Sequence, residues 1–210
     1  TNVGPQWGTN FLAVVADPRG PTPTPARYHE EVDMGYTNFW YRPKTIPESV
    51  WRGIQTDIAK LVVSTPVSLV RAHDQPGEPP EVSDHLVAFN GPRGEGHEDF
   101  WLPRTRAERL GERPKDDGLW FDSCKTAGKP YDVVVAACLI ALKHHLGDGV
   151  RISSDGKDED WTVRTDGELN LPSAKEFCQT TLGYGMDFEI VEHIGLVLKA
   201  GSGGPSKEVI

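Results

Sequence analysis

The segment formed by residues 130–146 constrains the fold most strongly, because it is apolar on nearly every side. Every residue from 133 to 142 is valine, alanine, cysteine, leucine or isoleucine. A helix that is hydrophobic all round belongs in the interior of a globular protein. Gly147 is a typical helix C-cap, and the basic residues just before it suit the negative end of a helix dipole. The sequence therefore predicts a buried central helix over residues 130–146.

The rest of the chain contains short strand patterns and two further helices. Apolar residues recur at helical spacing over residues 47–63, after Thr45 and Glu48 at capping-box spacing, and Ser173 begins a shorter helix that ends near residue 182. Strands are predicted at residues 67–72, 86–89, 100–102 and 150–153, with a terminal hairpin at 188–191 and 194–198. Because β-α-β units do not repeat, the pattern predicts a single α+β domain with a mainly antiparallel sheet packed on one long buried helix.

Both ends of the chain differ in composition from the middle. The prolines of residues 17–25 favour an extended polyproline II conformation, so residues 1–33 are predicted to form an extended, Pro-rich interaction arm. Residues 34–200 are predicted to form the α+β domain. Glycine and serine at residues 201–206 are typical of a flexible segment, and they predict a flexible tail over residues 201–210.

Charge and cysteine usage exclude several classes of protein. The chain has 22 Lys and Arg against 31 Asp and Glu, which gives a net charge of −9 spread along its length. Without a basic stripe, we expect no nucleic-acid partner and no attachment to an anionic membrane. Its 3 cysteines are widely spaced, as is typical of a reducing compartment, and no secretion signal is recognised. We therefore expect a cytoplasmic protein, or a virion protein if a phage encodes it.

A cluster of reactive groups precedes the central helix and includes three candidate catalytic residues. Cys124 lies near a helix N-terminus and next to lysines, and both features lower the pKa of a thiol. His97 is a candidate base for this thiol, and Asp132 begins the helix. The alternative is structural: Cys124 anchors a strand, and Asp132 caps the helix. No complete catalytic motif surrounds these residues, so an enzyme is the less favoured reading.

Anion binding is the second hypothesis for the same segment. Lys125, Thr126 and Lys129 combine charge, a hydroxyl and a helix N-terminus, which together suit a phosphate or carboxylate ligand. The spacing of a P-loop is absent, and the alternative is that these residues only flank a capped helix. No metal site is predicted, since His144 and His145 are adjacent and point about 100° apart on a helix. No cofactor is expected.

Aromatic residues indicate a surface for protein partners. The aromatic residues Tyr36, Phe39, Trp40 and Tyr41 precede Arg42, and tyrosine, tryptophan and arginine dominate interface hot spots. Two apolar anchors in the predicted arm, Trp7 and Phe11, complete the candidate interface. A protein partner, or a homo-oligomer formed through the arm, is therefore expected. The alternative is that part of this aromatic block packs in the core.

Four motifs together resemble a family of small proteins from bacterial and tailed-phage genomes. They are an opening Met-Gly-Tyr-Thr-x-x-Trp-x-Arg-Pro at residues 34–43, His-Glu-x-Phe at 97–100, Cys-Lys-Thr-Ala-x-Lys-Pro-Tyr-Asp at 124–132, and Ser-Ser-Asp-Gly at 153–156. The resemblance covers about residues 34–192. It implies a phage-associated setting but no particular activity.

Two functions from different classes follow from these observations. The favoured one is a non-catalytic binding or structural component of a larger protein assembly, such as a virion. The alternative is a small cytoplasmic enzyme, or a protein that binds an anionic or phosphate ligand, with its site around Cys124, Lys129 and Asp132.

Overall fold

Four α-helices and eight β-strands form within residues 35–73, 77–108, 110–162 and 171–201, which are the residues described by the computed structural model. The helices are α1 (Glu48–Ser64), α2 (Asp132–Leu146), α3 (Asp158–Thr162) and α4 (Ala174–Leu182). The strands are β1 (Thr37–Arg42), β2 (Glu81–Val82), β3 (Leu86–Phe89), β4 (Phe100–Pro103), β5 (Trp120–Lys125), β6 (Arg151–Ser154), β7 (Phe188–Val191) and β8 (Gly195–Leu198). The predicted arm at residues 1–33 lies outside the described residues, as does the predicted tail except for Gly201.

The apolar helix α2 lies at the centre of the fold, as its composition predicts. Residues 133–142 are all buried, because α1 and α4 pack against α2 from different sides. The helix ends at Gly147, whose φ of 54° lies in the left-handed region and whose N–H donates to the Lys143 carbonyl. The prediction of one long buried helix is confirmed.

Strand pairing among the described residues is antiparallel throughout. The strands form one three-stranded sheet in the order β5-β1-β6, a second in the order β2-β3-β4, and the hairpin β7-β8. Helices and antiparallel sheets thus occupy separate parts of one domain, which is the α+β architecture predicted from the sequence.

The central strand β1 presents alternate residues to opposite faces of its sheet. Its core-facing residues are Asn38, Trp40 and Arg42. Phe39 and Tyr41 project from the other face, because side chains alternate along a strand. The register pairs Tyr41 with Phe121 of β5, so Phe121 joins the same outer face. This register brings together residues about eighty positions apart in the sequence.

Local details depart from the predictions at two places. Thr45 does not cap α1, because it forms an isolated bridge with Thr105, and α1 instead follows Pro47 without a side-chain cap. The strand predicted at residues 67–72 is reduced to an isolated bridge between Val70 and Asn90. The predicted start of α4 is confirmed, since Ser173 forms a capping box at its N-terminus.

Candidate functional site

Cys124, the candidate nucleophile, lies on the core side of β5. Its thiol is fully buried and donates to the Glu98 carbonyl oxygen at 3.5 Å, with the Tyr131 hydroxyl oxygen 3.9 Å from the sulfur. That hydroxyl donates to the same Glu98 carbonyl at 2.6 Å. Burial raises the pKa of the Cys124 thiol well above its ordinary value, so the thiol is protonated. These contacts are those of a thiol that holds the loop before β4 against α2.

His97, the candidate base, lies in the loop between β3 and β4 with its side chain exposed. The side chain of Asn90 organises this loop: its amide donates to the His97 carbonyl at 3.0 Å, and its oxygen accepts the His97 N–H at 3.2 Å. The same amide donates to the Asp99 carboxylate at 2.8 Å. His97 is thus exposed on a loop while Cys124 is buried, which does not support a base–nucleophile pair.

Asp132, the third catalytic candidate, connects the start of α2 to β1. Its Oδ1 accepts hydrogen bonds from the Asn38 side-chain amide at 2.8 Å and from the Thr126 hydroxyl at 2.7 Å. Asn38 and Thr126 are fully buried. The carboxylate therefore satisfies two buried donors, and such a group contributes to stability whether or not it has another role.

The same contacts bear on the predicted anion site at Lys125, Thr126 and Lys129. The Thr126 hydroxyl already donates to Asp132, and the backbone N–H of Lys125 donates to the Glu98 carboxylate at 2.7 Å. Two carboxylates thus lie where a bound anion would need positive charge. The contacts of Lys125 and Thr126 therefore favour a structural role for this segment over anion binding.

The candidate interface residues divide between the two faces of the sheet. Trp40 and Arg42 are fully buried, because they occupy core-facing positions of β1, and they are therefore not accessible to a partner. Tyr36 is partly buried, and its hydroxyl lies 2.1 Å from where a Cβ at position 156 would be, so a larger residue there would require the Tyr36 ring to move. Tyr41 lies on the outer face. The remaining two candidates, Trp7 and Phe11, lie outside the described residues.

The outer face of the β5-β1-β6 sheet carries a cluster of aromatic side chains. The Phe121 ring stacks on Phe39 with a centroid distance of 6.1 Å and lies 5.2 Å from Tyr41 in a tilted arrangement. Phe121 remains 42% exposed. Phe121 is not among the residues that the sequence predicts for this surface. The alternation of buried Trp120 with exposed Phe121 along a strand is the signal that identifies Phe121.

Cationic side chains border this aromatic cluster. The Arg151 guanidinium lies 5.1 Å from the centroid of the Tyr41 ring, and the Lys115 ammonium lies 5.8 Å from it. Arg106 lies 5.3 Å from the centroid of Trp120, which is buried on the opposite face of β5 from Phe121. These distances are those of cation–π contacts. The face thus combines exposed aromatic rings with charge.

Two clefts follow each other along β5, which is an edge strand of its sheet. One has a volume of about 450 Å³ and is lined by basic and aromatic side chains, among them Tyr41, Arg113, Lys115 and Trp120. The other has a volume of about 620 Å³, and its lining includes Glu98, Asp99, Asp122, His73 and Trp101. Phe121, Arg106 and Glu112 line both clefts and form the divide between them.

Ion pairs hold this divide in place. Arg106 donates to Glu112 at 2.7 Å and to Asp122 at 2.8 Å. The hydrogen bond to Glu112 contributes most to raising the pKa of the Arg106 guanidinium, and the bond to Asp122 adds to it. Asp122 also accepts from Arg42 on the core side at 3.2 Å. Burial lowers the pKa of Arg42, an effect that Asp122 opposes. The divide is therefore anchored to the core through a chain of alternating charges.

A third cleft, of about 1030 Å³, lies between β6 and the β7-β8 hairpin. Its lining is mostly polar and includes the turn at residues 153–157. The hairpin approaches β6 through Gly195, where a Cβ would lie 2.0 Å from the carbonyl oxygen of Ile152. Gly195 also has a φ of 99°, so both the close approach and the backbone conformation require glycine.

A polar network that the sequence did not reveal joins three helical segments around Asp57 of α1. Its carboxylate lies 2.9 Å from His145 Nε2 of α2 and accepts a 2.8 Å hydrogen bond from the Tyr184 hydroxyl, just after α4. Lys60 donates to the other oxygen at 2.9 Å. Burial alone would raise the pKa of Asp57, but the hydrogen bonds from Lys60, His145 and Tyr184 outweigh it and lower that pKa. The network connects the helices that surround the core.

Comparison with family models, curated proteins and solved structures finds no match to this chain. Within the described ranges, no group of three or more His, Cys, Asp or Glu side chains is arranged to hold a metal ion. A search of those same residues finds no helix with the length and apolar character needed to cross a membrane.

Proposed function

We propose that this protein is a non-catalytic binding component of a larger protein assembly, and that the outer face of the β5-β1-β6 sheet is its interface. The observation that carries the proposal is the outer-face aromatic cluster, in which an exposed Phe121 contacts the half-buried Phe39 and Tyr41 and cationic side chains border Tyr41. Aromatic residues and arginine are enriched in the energetic centres of protein interfaces. The motif resemblance suggests a phage particle as the setting.

The contacts at the start of α2 support this proposal over the enzymatic alternative. A cysteine nucleophile needs a thiolate that a substrate can reach. Cys124 is buried, and burial raises the pKa of its thiol. The predicted anion site adjoins the carboxylates of Glu98 and Asp132, whose field opposes an anionic ligand. The aromatic face is instead open to solvent, as an interface requires.

Position-specific photo-crosslinking in cells tests the proposal. p-Benzoylphenylalanine in place of Phe121 should yield a discrete covalent adduct on irradiation. The matched control places the same residue at Val63, which is 86% exposed on α1. An adduct at position 121 and none at position 63 supports the interface. No adduct at position 121, or the same adduct at both positions, overturns it.

The crosslinked partner then permits a quantitative test. Phe121→Ala should weaken binding of the purified partner at least about tenfold, since central aromatic anchors contribute most of the binding energy. Val63→Ala should leave the affinity unchanged. Equal affinities for both variants would place the interface elsewhere on the molecule.

A further inference from the structure

We propose that the partner of this face is a second copy of the chain, with the basic cleft of each protomer opposed to the acidic cleft of the other across a two-fold axis near Phe121. This inference rests on the proposed function and specifies its partner. It is carried by the two adjacent clefts along β5, which share Phe121 and the Arg106–Glu112 pair.

The two clefts differ in charge because of the residues that they do not share. Arg106 and Glu112 are bonded to each other at 2.7 Å and contribute opposite charges to both clefts. Beyond this pair, the charged residues of the first cleft are Arg113 and Lys115. The second cleft is lined by the carboxylates of Glu98, Asp99 and Asp122, with the His73 ring 3.2 Å from Asp99. A positive and a negative surface therefore lie side by side, with the exposed Phe121 ring between them.

A surface of this kind is complementary to itself under two-fold rotation. An isologous interface uses the same patch on both subunits, so each residue meets whatever lies opposite it across the axis. An axis near Phe121 exchanges the two clefts and brings the two Phe121 rings together. The basic cleft of each protomer then faces the acidic cleft of the other. The exposed aromatic surface at the centre is removed from contact with water.

Other partners match this surface less completely. Nucleic acid would be attracted to the basic cleft alone, and the chain's net charge of −9 would repel it. A basic protein would match the acidic cleft alone. A partner that is complementary to both clefts must carry a positive and a negative surface at the same spacing. A second copy of the chain has this spacing because its clefts are the same. Trp101, 40% exposed in the acidic cleft, adds an aromatic contact there.

Charge exchange on the full chain tests this geometry. One variant carries Arg113→Glu and Lys115→Glu, which makes both clefts acidic. The other carries Glu98→Lys, which adds positive charge to the acidic cleft. Their masses are measured by size exclusion with light scattering over about 1 µM to about 500 µM, the range of weak to moderate self-association. The wild type should dimerise, and each variant alone should dissociate at least about tenfold more readily.

Mixing the two variants is the decisive measurement. Each altered cleft then faces one of opposite charge, so the equimolar mixture should recover the dimer while neither variant alone does. Glu98→Gln guards against misfolding, because its side-chain oxygen can still accept the Lys125 N–H. It should weaken the dimer with an unchanged melting temperature. A wild type that stays monomeric throughout, or a mixture that does not associate, overturns the proposal.

The photo-crosslink at position 121 separates this inference from the proposed function. An adduct with twice the mass of the chain supports both. An adduct with a different protein, together with a monomeric wild type, overturns self-association and leaves the binding function standing. The absence of any adduct overturns both.

Discussion

The two faces of the β5-β1-β6 sheet are formed by the same strands but differ in their exposure to solvent. On the core face, Cys124 and Trp40 are fully buried in the hydrophobic core. On the outer face, Phe121 and Tyr41 form an open aromatic surface beside charged clefts. Cys124, the predicted nucleophile, lies on the buried face. Of the two aromatic residues of β1 predicted for an interface, Tyr41 lies on the outer face and Trp40 on the buried one. The residues next to Cys124 in the sequence therefore do not predict its reactivity, because the alternation of side chains along a strand determines which groups are exposed to solvent.

Thiol reactivity should separate the two faces most strongly. Cys124, Cys138 and Cys178 are all free and buried, and burial raises the pKa of each thiol. In the native protein at pH 8, labelling by a thiol reagent should be slowed on the order of a thousandfold or more relative to the urea-unfolded chain. Mass spectrometry over time measures the labelling. Rapid labelling of Cys124 in the native state would show that the core face is open.

Truncation of an aromatic residue should cost far more on the core face than on the outer face. Trp40 is fully buried and lies 5.6 Å, between ring centroids, from Phe100. Trp40→Ala should lower the free energy of unfolding by about 3–5 kcal/mol, because a large cavity forms. The matched change Phe121→Ala should cost less than about 1 kcal/mol, since the ring is already 42% exposed. Urea unfolding compares the two, and similar losses would contradict the assigned faces.

Asp132 provides a smaller effect on the core side. Asp132→Ala leaves the buried donors of Asn38 and Thr126 without their acceptor, and should lower the free energy of unfolding by about 1–3 kcal/mol. Asp132→Asn keeps one acceptor oxygen, so it should lose less. Thermal and urea unfolding measure both variants. Unchanged stability together with lost binding would instead assign Asp132 a functional role.

Acid should destabilise the protein through the carboxylate network that joins the helices, and this is the mildest effect expected. The pKa of Asp57 is lower in the folded protein than its ordinary value of 3.8. Its contribution to stability is therefore present above pH 3.8 and is lost as the pH falls through the folded-state pKa. Asp57→Asn should reduce this acid sensitivity in urea unfolding at a series of pH values. An unchanged pH profile would show that the network does not stabilise the folded state.

Local signals in the sequence account for the three longest helices and the terminal hairpin, but they do not predict the short helix α3. The unbroken apolar run predicts α2, and Ser173 with Glu176 predicts the capped start of α4. Thr45 and Glu48 have the same spacing, but Thr45 pairs with Thr105 and does not cap α1. A capping motif therefore predicts a helix start only where the backbone before it is not recruited to a sheet.

The candidate surface was harder to predict, because it depends on contacts between distant residues. Phe39 and Tyr41 meet Phe121 only through the register of β1 with β5. Likewise, Asp57 reaches Tyr184 only once α1 and α4 pack around α2. No local pattern encodes these pairings, since loop closure and packing of the whole domain determine them.

The close approach of Gly195 to Ile152 has a consequence for how the hairpin tolerates substitution over evolution. Its contact with β6 is made by backbone atoms, so it places no demand on the side chains of the turn. In a scan of all single substitutions, position 195 should reject every residue except glycine. Glu192 and Ile194, whose exposed side chains lie three residues and one residue before Gly195, should accept many. The rim of the third cleft is thus free to diversify while its backbone stays fixed.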